Sequence, residues 1–331
     1  MKGSTMSSSG RLIRDISTLP YMSNVFKNLS GMDASQHEAR FTRWCIWADE
    51  NGLNDIEYLL PQIRIQTDIA PFTFERRFVE ERRSEPSACD LEALGPWVYQ
   101  VEFGNISTLN RRHEADWTYH RYRADSLVGT AAKIAGSRIN SLSALDVGSH
   151  CGVQSLELAE RGFGNVLGID LRPENIEQAR YLARIFGTND VLFEQANVWS
   201  LDDFEPRDVI FCGGLLYHVT YPLKLLKSLY DKTAEFLIFD TLVHKHPFSG
   251  FHLVCNKNIG YSAEGEFSYE LQPTYRAVCD GLQAVGFTQI YEIVGDNAGQ
   301  VPNYRTGNVR SFVAARDNCA LLSDFVASLD T

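Results

Sequence analysis

The chain has 331 residues, 44% of them hydrophobic and 22% charged, with a net charge of −11. Those proportions exclude a disordered, collagenous or coiled-coil chain and allow two domains or one elaborated domain. The charge is uneven, net −1 over residues 1–140 and −10 over 141–331, which disfavours a general nucleic-acid binder. Of the 17 basic residues in the first segment 14 are Arg, which leaves room for a local basic patch. Seven Cys, an odd number without a Cys-x-x-Cys pair, read as reduced thiols of a cytoplasmic protein. No apolar run approaches the ~18 residues of a membrane span, so no membrane partner is expected. Residues 1–10 are Ser/Gly-rich without an apolar core and read as a polar lead, not a signal peptide.

Residues 1–105 are expected to be helical and irregular. A helix is expected from Asp33 through Trp47, stopped at Gly52, and a second over 54–60 before Pro61. Phe41, Trp44, Trp47, Phe72, Phe74 and Phe78 are too much apolar surface to leave exposed. They imply a cap that shapes a substrate pocket and, as a second use, an oligomer contact. From about residue 141 short apolar strands alternate with amphipathic helices. Strands are expected at 143–147, 165–169, 190–195, 208–212, 235–240, 288–294 and 309–315. Helices are expected at 153–161, 173–186, 222–231 and 273–284. This rhythm predicts an α/β fold with a doubly wound, mostly parallel seven-stranded sheet, whose ligand site lies at the C-terminal strand ends. The last two strands lack a helix between them and should pair antiparallel at the edge. The 295–308 loop joining them is long enough to suggest function. The domain division is therefore 1–105 and 106–331.

The strongest chemical signal is Leu145-Asp146-Val147-Gly148-Ser149-His150-Cys151-Gly152, set between a strand and a helix. Gly148 and Gly152 permit a tight turn and close backbone approach to a ligand. Asp170 follows at the end of the next strand, where a carboxylate can take ribose hydroxyls. Together they point to an adenosine-containing cofactor. A dinucleotide fingerprint would need glycines where His150 and Val153 stand, so S-adenosylmethionine (SAM), which carries no phosphate, fits better.

Residues 141–241 resemble the core of class I SAM-dependent methyltransferases. Asp146–Gly152 is similar to their first motif, with His150 where the family carries a middle glycine, and Gly168-Ile169-Asp170 to their second. Cys212-Gly213-Gly214-Leu215-Leu216-Tyr217-His218, followed by Pro222-Leu223, resembles a segment of the tRNA wobble-uridine carboxymethyltransferase group and its methyltransferase relatives. Gly95-Pro96-Trp97 and Asp116-Trp117-Thr118-Tyr119-His120-Arg121 extend that likeness upstream. The resemblance implies cofactor contacts at Asp146, Gly148, Ser149, His150, Gly152, Asp170, Leu171, Asn197, Val198, Cys212 and Gly213. It also implies that the stretch holding Trp117, Tyr119, His120, Tyr122 and Arg123 covers the pocket. Leu94 and Thr118 stand where that group holds the extra carboxylate of carboxy-SAM with lysines, while Tyr217 and Arg310 match two of its other carboxylate-holding positions. Ordinary SAM and methyl transfer follow.

Methyl transfer needs an acceptor held in line and a base for its proton. His218 is the base candidate, with Tyr217 beside it and Asp240 at the end of the fifth strand. Trp117, Tyr119, His120, Tyr304 and Arg310 are the substrate-side candidates. A His-x-His at 244–246 lacks a third ligand at a clear spacing, so no metal is expected. The expected function is methyl transfer to oxygen or nitrogen of a small molecule. The alternatives are a tRNA-modifying enzyme and a non-catalytic SAM-binding subunit.

Overall fold

The computed structural model describes residues 60–67, 72–73, 87–103, 106–108, 117–188, 191–246, 248–255, 269–317 and 319–329. Apart from Leu60, the helices expected at 33–52 and 54–60 lie outside the described residues, as do Phe41, Trp44, Trp47, Phe74 and Phe78. The first elements are β1 (Gln62–Ile65), β2 (Phe72–Thr73), α1 (Ala88–Leu94), β3 (Val101–Phe103), β4 (Ile106–Ser107) and α2 (Trp117–Ala135). There follow β5 (Ser143–Val147), α3 (Val153–Arg161), β6 (Asn165–Asp170), α4 (Pro173–Phe186), β7 (Val191–Gln195), β8 (Arg207–Gly213), α5 (Pro222–Lys232) and β9 (Thr233–Leu242). The remainder is β10 (Phe251–Cys255), β11 (Tyr269–Pro273), α6 (Tyr275–Val285), β12 (Gln289–Gly295), α7 (Pro302–Arg305), β13 (Val309–Ala315) and α8 (Ala320–Leu329).

The local signals explain these boundaries. Proline at the first position of α4 and α5 costs no hydrogen bond there. Gly162, Gly187 and Gly286 end α3, α4 and α6 in the left-handed conformation, with φ of 110°, 70° and 118°. The central strands read as near-continuous apolar runs because helices cover both faces of the sheet.

The main sheet has eight strands in the order β1-β12-β13-β9-β8-β5-β6-β7. The run from β9 to β7 is parallel, and β12 and β13 form the expected antiparallel arm. The strand count differs from the expected seven because β1 adds to β12 in parallel, from a segment expected to be helical. Its four residues alternate exposed and buried, with Ile63 and Ile65 inside. That period of two is easily missed over so short a run. The loop after β9 also holds a β10–β11 hairpin, and α7 sits in the 295–308 connection. The helix α8 was not anticipated; only Leu322 of it is fully buried, so its apolar period is weak.

Two apolar clusters fill the two faces of the sheet. Residues from the first hundred belong to one of them: Ile63, Ile65, Leu91, Trp97, Tyr99 and Val101. A 91–331 fragment therefore loses β1 and bares the β12 edge. It is expected to aggregate, since an unpaired edge with apolar flanks templates further pairing. Light scattering showing a monodisperse 91–331 fragment would contradict this.

Candidate active site

The order of strands reverses at β5, with β6 on one side and β8 on the other. Such a switch point opens a crevice beyond the C-terminal strand ends. The turn after β5 is drawn onto β6 because the Gly148 and Ser149 N–H groups both donate to the Ile169 carbonyl at 2.9 Å. His150 then takes φ of +50°, a left-handed value that costs a non-glycine residue about 1–2 kcal/mol. This accounts for glycine at the matching position of the resembled motif. Two bonds offset the cost here. The His150 N–H donates to Asp170 Oδ2 at 2.9 Å, and its Nδ1 accepts from the Cys151 N–H at 2.8 Å.

Asp170 thus clamps the turn from β6. Its Oδ1 also accepts from the Arg172 N–H and from Asn175 Nδ2, both at 3.0 Å. Gly152, with φ of 79°, is demanded by packing: a Cβ there would fall 2.5 Å from Phe193 Cζ and 2.8 Å from Ala179 Cβ. Asp146 is fully buried and accepts from Ser155 Oγ at 2.6 Å; burial pushes its carboxyl up to about 7. Ser149 and Cys212 are likewise buried, and burial raises the Cys212 thiol. These four lie beneath or beside the crevice.

The crevice itself is a cavity of about 210 Å³. One end, beyond β6 and β7, is lined by Asp170, Leu171, Arg172, Asn175, Asn197 and Val198. Gly148 and His150 line the middle, with Val98 and Tyr99. The other end, beyond β8, holds Gly213, Tyr217 and His218 together with Tyr119, His120 and Arg123 from α2. Among the sequence-derived candidates these positions converge on one space. Trp117 opens α2, but its side chain lies outside the described residues.

Tyr217 and His218 occupy a single turn of 3₁₀ helix, Leu216–His218, just after β8. His218 Nδ1 lies 3.9 Å from Glu270 Oε1 on β11. Burial, reinforced by the nearby charges of Arg123 and Arg172, lowers the imidazole to about 4. Asp240 does not line the cavity. It sits behind Arg123, wholly buried, with Oδ1 3.1 Å from Arg123 Nε. Its Oδ2 accepts from Tyr304 Oη at 2.8 Å and Ser311 Oγ at 2.7 Å. Tyr304 is half-buried and joins this layer through that hydroxyl, its ring 4.3 Å from that of Tyr122. Arg310 lies apart from the cavity, bound to Glu292 Oε1 at 2.7 Å and placed over the Tyr275 ring. His244 and His252 stack at 3.6 Å, yet among the described residues no three His, Cys, Asp or Glu side chains are placed to hold a metal.

Arg123, in the stretch expected to cover the pocket, is a site residue to which the sequence assigns no role of its own. It donates to the Tyr119 hydroxyl and to Tyr217, and its guanidinium lies 4.6 Å from the centre of the Tyr119 ring. Gly214, with φ of 76°, leaves it room: a Cβ would stand 2.7 Å from Arg123 Nη1. The signal was present in the spacing, since Tyr119 and Arg123 are four apart and share one helix face.

The family described as "Methyltransferase domain" matches residues 140–271, the span from just before β5 into β11. Residues 140–271 carry a class I, SAM-dependent methyltransferase domain. The chain is 28% identical over 169 residues to a ubiquinone biosynthesis O-methyltransferase of Neisseria meningitidis serogroup C (strain 053442), covering 47% of this chain and 68% of that protein. It is 35% identical over 107 residues to a tRNA U34 carboxymethyltransferase of Helicobacter pylori (strain Shi470), covering 31% of this chain and 41% of that one. Among solved structures, the N-terminal domain of EvdMO1 with SAH bound shares the methyltransferase fold, with a TM-score of 0.54 at 21% identity over 69% of this chain and 94% of that one. Among the described residues no helix of the methyltransferase is long and apolar enough to cross a membrane.

Proposed function

We propose that this methyltransferase transfers a methyl group from SAM to oxygen or nitrogen of a small-molecule acceptor. The observation that carries the reading is the single cavity that runs from Asp170, over the Gly148–His150 turn, to Tyr217 and His218. Its residues fit the cofactor. One end offers a strand-end carboxylate with apolar Leu171 and Val198 and the Asn197 amide, suited to an adenosine. The Gly148 and Ser149 N–H groups of the turn are not offered to a diphosphate, because both are spent on Ile169. SAM supplies an electrophilic methyl on a sulfonium. The chain's own groups orient the acceptor and take its proton, with His218 as the base and Tyr217 and Tyr119 as hydroxyls at the same end.

Ordinary SAM is favoured over carboxy-SAM. Leu94 packs on the core, its carbonyl accepting from Gln178 at 2.7 Å, and Thr118 brings no cation. Arg123 does put a cation beside Tyr217, but Asp240 already balances its charge. A tRNA acceptor is the second reading, favoured by the 35% identity to the carboxymethyltransferase. The −10 charge of residues 141–331 opposes it. Filter binding of bulk tRNA at low salt separates the two.

Asp170→Ala tests the cofactor end. Charge-assisted hydrogen bonds contribute roughly 1.5–3 kcal/mol, so SAM affinity should fall about ten- to a hundredfold. Part of that loss comes through the freed Gly148–His150 turn. Calorimetry on a folded variant with unchanged affinity would overturn the placement.

A further inference from the structure

The β10–β11 hairpin packs on the Leu216–His218 turn, beside the His218 end of the cavity. Its cross-strand pairs run from Phe251–Pro273 to Cys255–Tyr269. Directly opposed side chains share a face, and the faces alternate along each strand. One face therefore carries His252, Val254, Glu270 and Gln272. It looks inward, since Glu270 lies 3.9 Å from His218 and His252 stacks on His244. The outer face carries Phe251, Leu253, Cys255, Tyr269, Leu271 and Pro273, with no charged group among them. On it Leu253 is 67% exposed and Tyr269 is 52% exposed. A two-stranded ribbon is marginal in water without packing, so an apolar outer face calls for a cover.

The chain itself supplies one. The described residues begin at Leu60, whose N–H donates to Tyr275 Oη at 3.4 Å. Tyr275 opens α6 just after β11 ends at Pro273. The preceding chain therefore enters the fold near the foot of the hairpin. It holds Phe41, Trp44, Cys45 and Trp47, whose spacing places them on one face of the helix expected there. From Trp47 to Leu60 the chain can span roughly 43 Å, against about 17 Å for a five-residue strand, so the whole outer face is within reach. A segment tethered this closely acts at an effective concentration on the order of millimolar, which favours it over a second copy of the chain. We propose that the segment around Phe41, Trp44 and Trp47 docks on the apolar outer face of the β10–β11 hairpin, and so holds the inner face, with Glu270, against His218. The docking stands apart from the choice of methyl acceptor.

Hydrogen exchange on the full chain tests it. Trp44→Ser/Trp47→Ser should speed exchange of the amides of 251–255 and 269–272 about tenfold or more and leave β5, β6 and β8 unchanged, as a local loss of cover requires. Leu253→Ser changes an exposed position and leaves the core intact. It should in turn speed exchange across residues 41–47, and it serves if the tryptophan variant fails to fold. Unchanged hairpin exchange in the tryptophan variant, or unchanged exchange at 41–47 in Leu253→Ser, would overturn the docking. So would faster exchange throughout the main sheet, which would make the tryptophans part of its core. Hairpin protection that rises with the concentration of the wild type would give the face to a second copy instead.

Discussion

Asp240→Ala should be the most destabilising substitution in the site. The carboxylate is wholly buried and takes part in three contacts: Arg123 Nε at 3.1 Å, Tyr304 Oη at 2.8 Å and Ser311 Oγ at 2.7 Å. Burial pushes its carboxyl up, while Arg123, Ser311 and Tyr304 pull it down toward the ionised form. Truncation strands a guanidinium that is itself 5% exposed. Breaking a buried pair from one side costs about 3–5 kcal/mol, because the remaining buried charge has lost its counter-ion. For a chain of this size that is a fall of about 10 °C in Tm. Removing both charges together is often close to neutral, so Arg123→Met/Asp240→Asn should melt nearer the wild type than Asp240→Ala does. Differential scanning calorimetry decides it. A Tm for Asp240→Ala within about 2 °C of wild type would mean that Arg123 does not depend on Asp240 for its charge balance.

This pair also shows where sequence reasoning stops. The strands and helices from residue 143 to 242 were legible, because apolar runs and Pro or Gly punctuation state the local conformation directly. Asp170, Gly148 and Tyr217 were legible because each sits at a fixed offset from a strand end. Asp240 stands out for the same reason, but its pairing with Arg123 does not. Arg123 comes from α2, 117 positions upstream, and only the packing of α2 against β9 brings the two together. β1 was illegible for a related reason. Four residues with period two carry little signal, and what makes them a strand is the open edge of β12, 230 residues away. The same limit applies to His218, whose surroundings no spacing could reveal.

His218→Ala should lower kcat by about a hundredfold, the lower end of what a general base contributes, with SAM affinity within about threefold of wild type. The lower end follows from its environment. An imidazole near its ordinary 6.5 would be a well-matched base at neutral pH. Burial and the charges of Arg123 and Arg172 lower this one to about 4, so at pH 7 it is fully neutral but weakly basic. Glu270 Oε1, at 3.9 Å from Nδ1, is a group that would favour a proton on it as the acceptor ionises. The pH dependence should show this. Below about pH 4 the base is protonated and the rate falls; above about pH 5 the acid limb should be flat. Stability is a poorer reporter. His150 and His218, both lowered to about 4, give the folded chain fewer protons than the unfolded one from about pH 4 to 6.5, so their contribution is lost as pH falls through that window. Asp146 and Glu157, both raised to about 7, act in the opposite sense, their contribution being lost as pH rises toward 7. Single-turnover rates across pH avoid that cancellation. An acid limb centred near 6.5 would show that Glu270 outweighs burial. A variant within about threefold of wild type at every pH would remove His218 as the base and leave positioning by Tyr217 and Tyr119 to account for the rate.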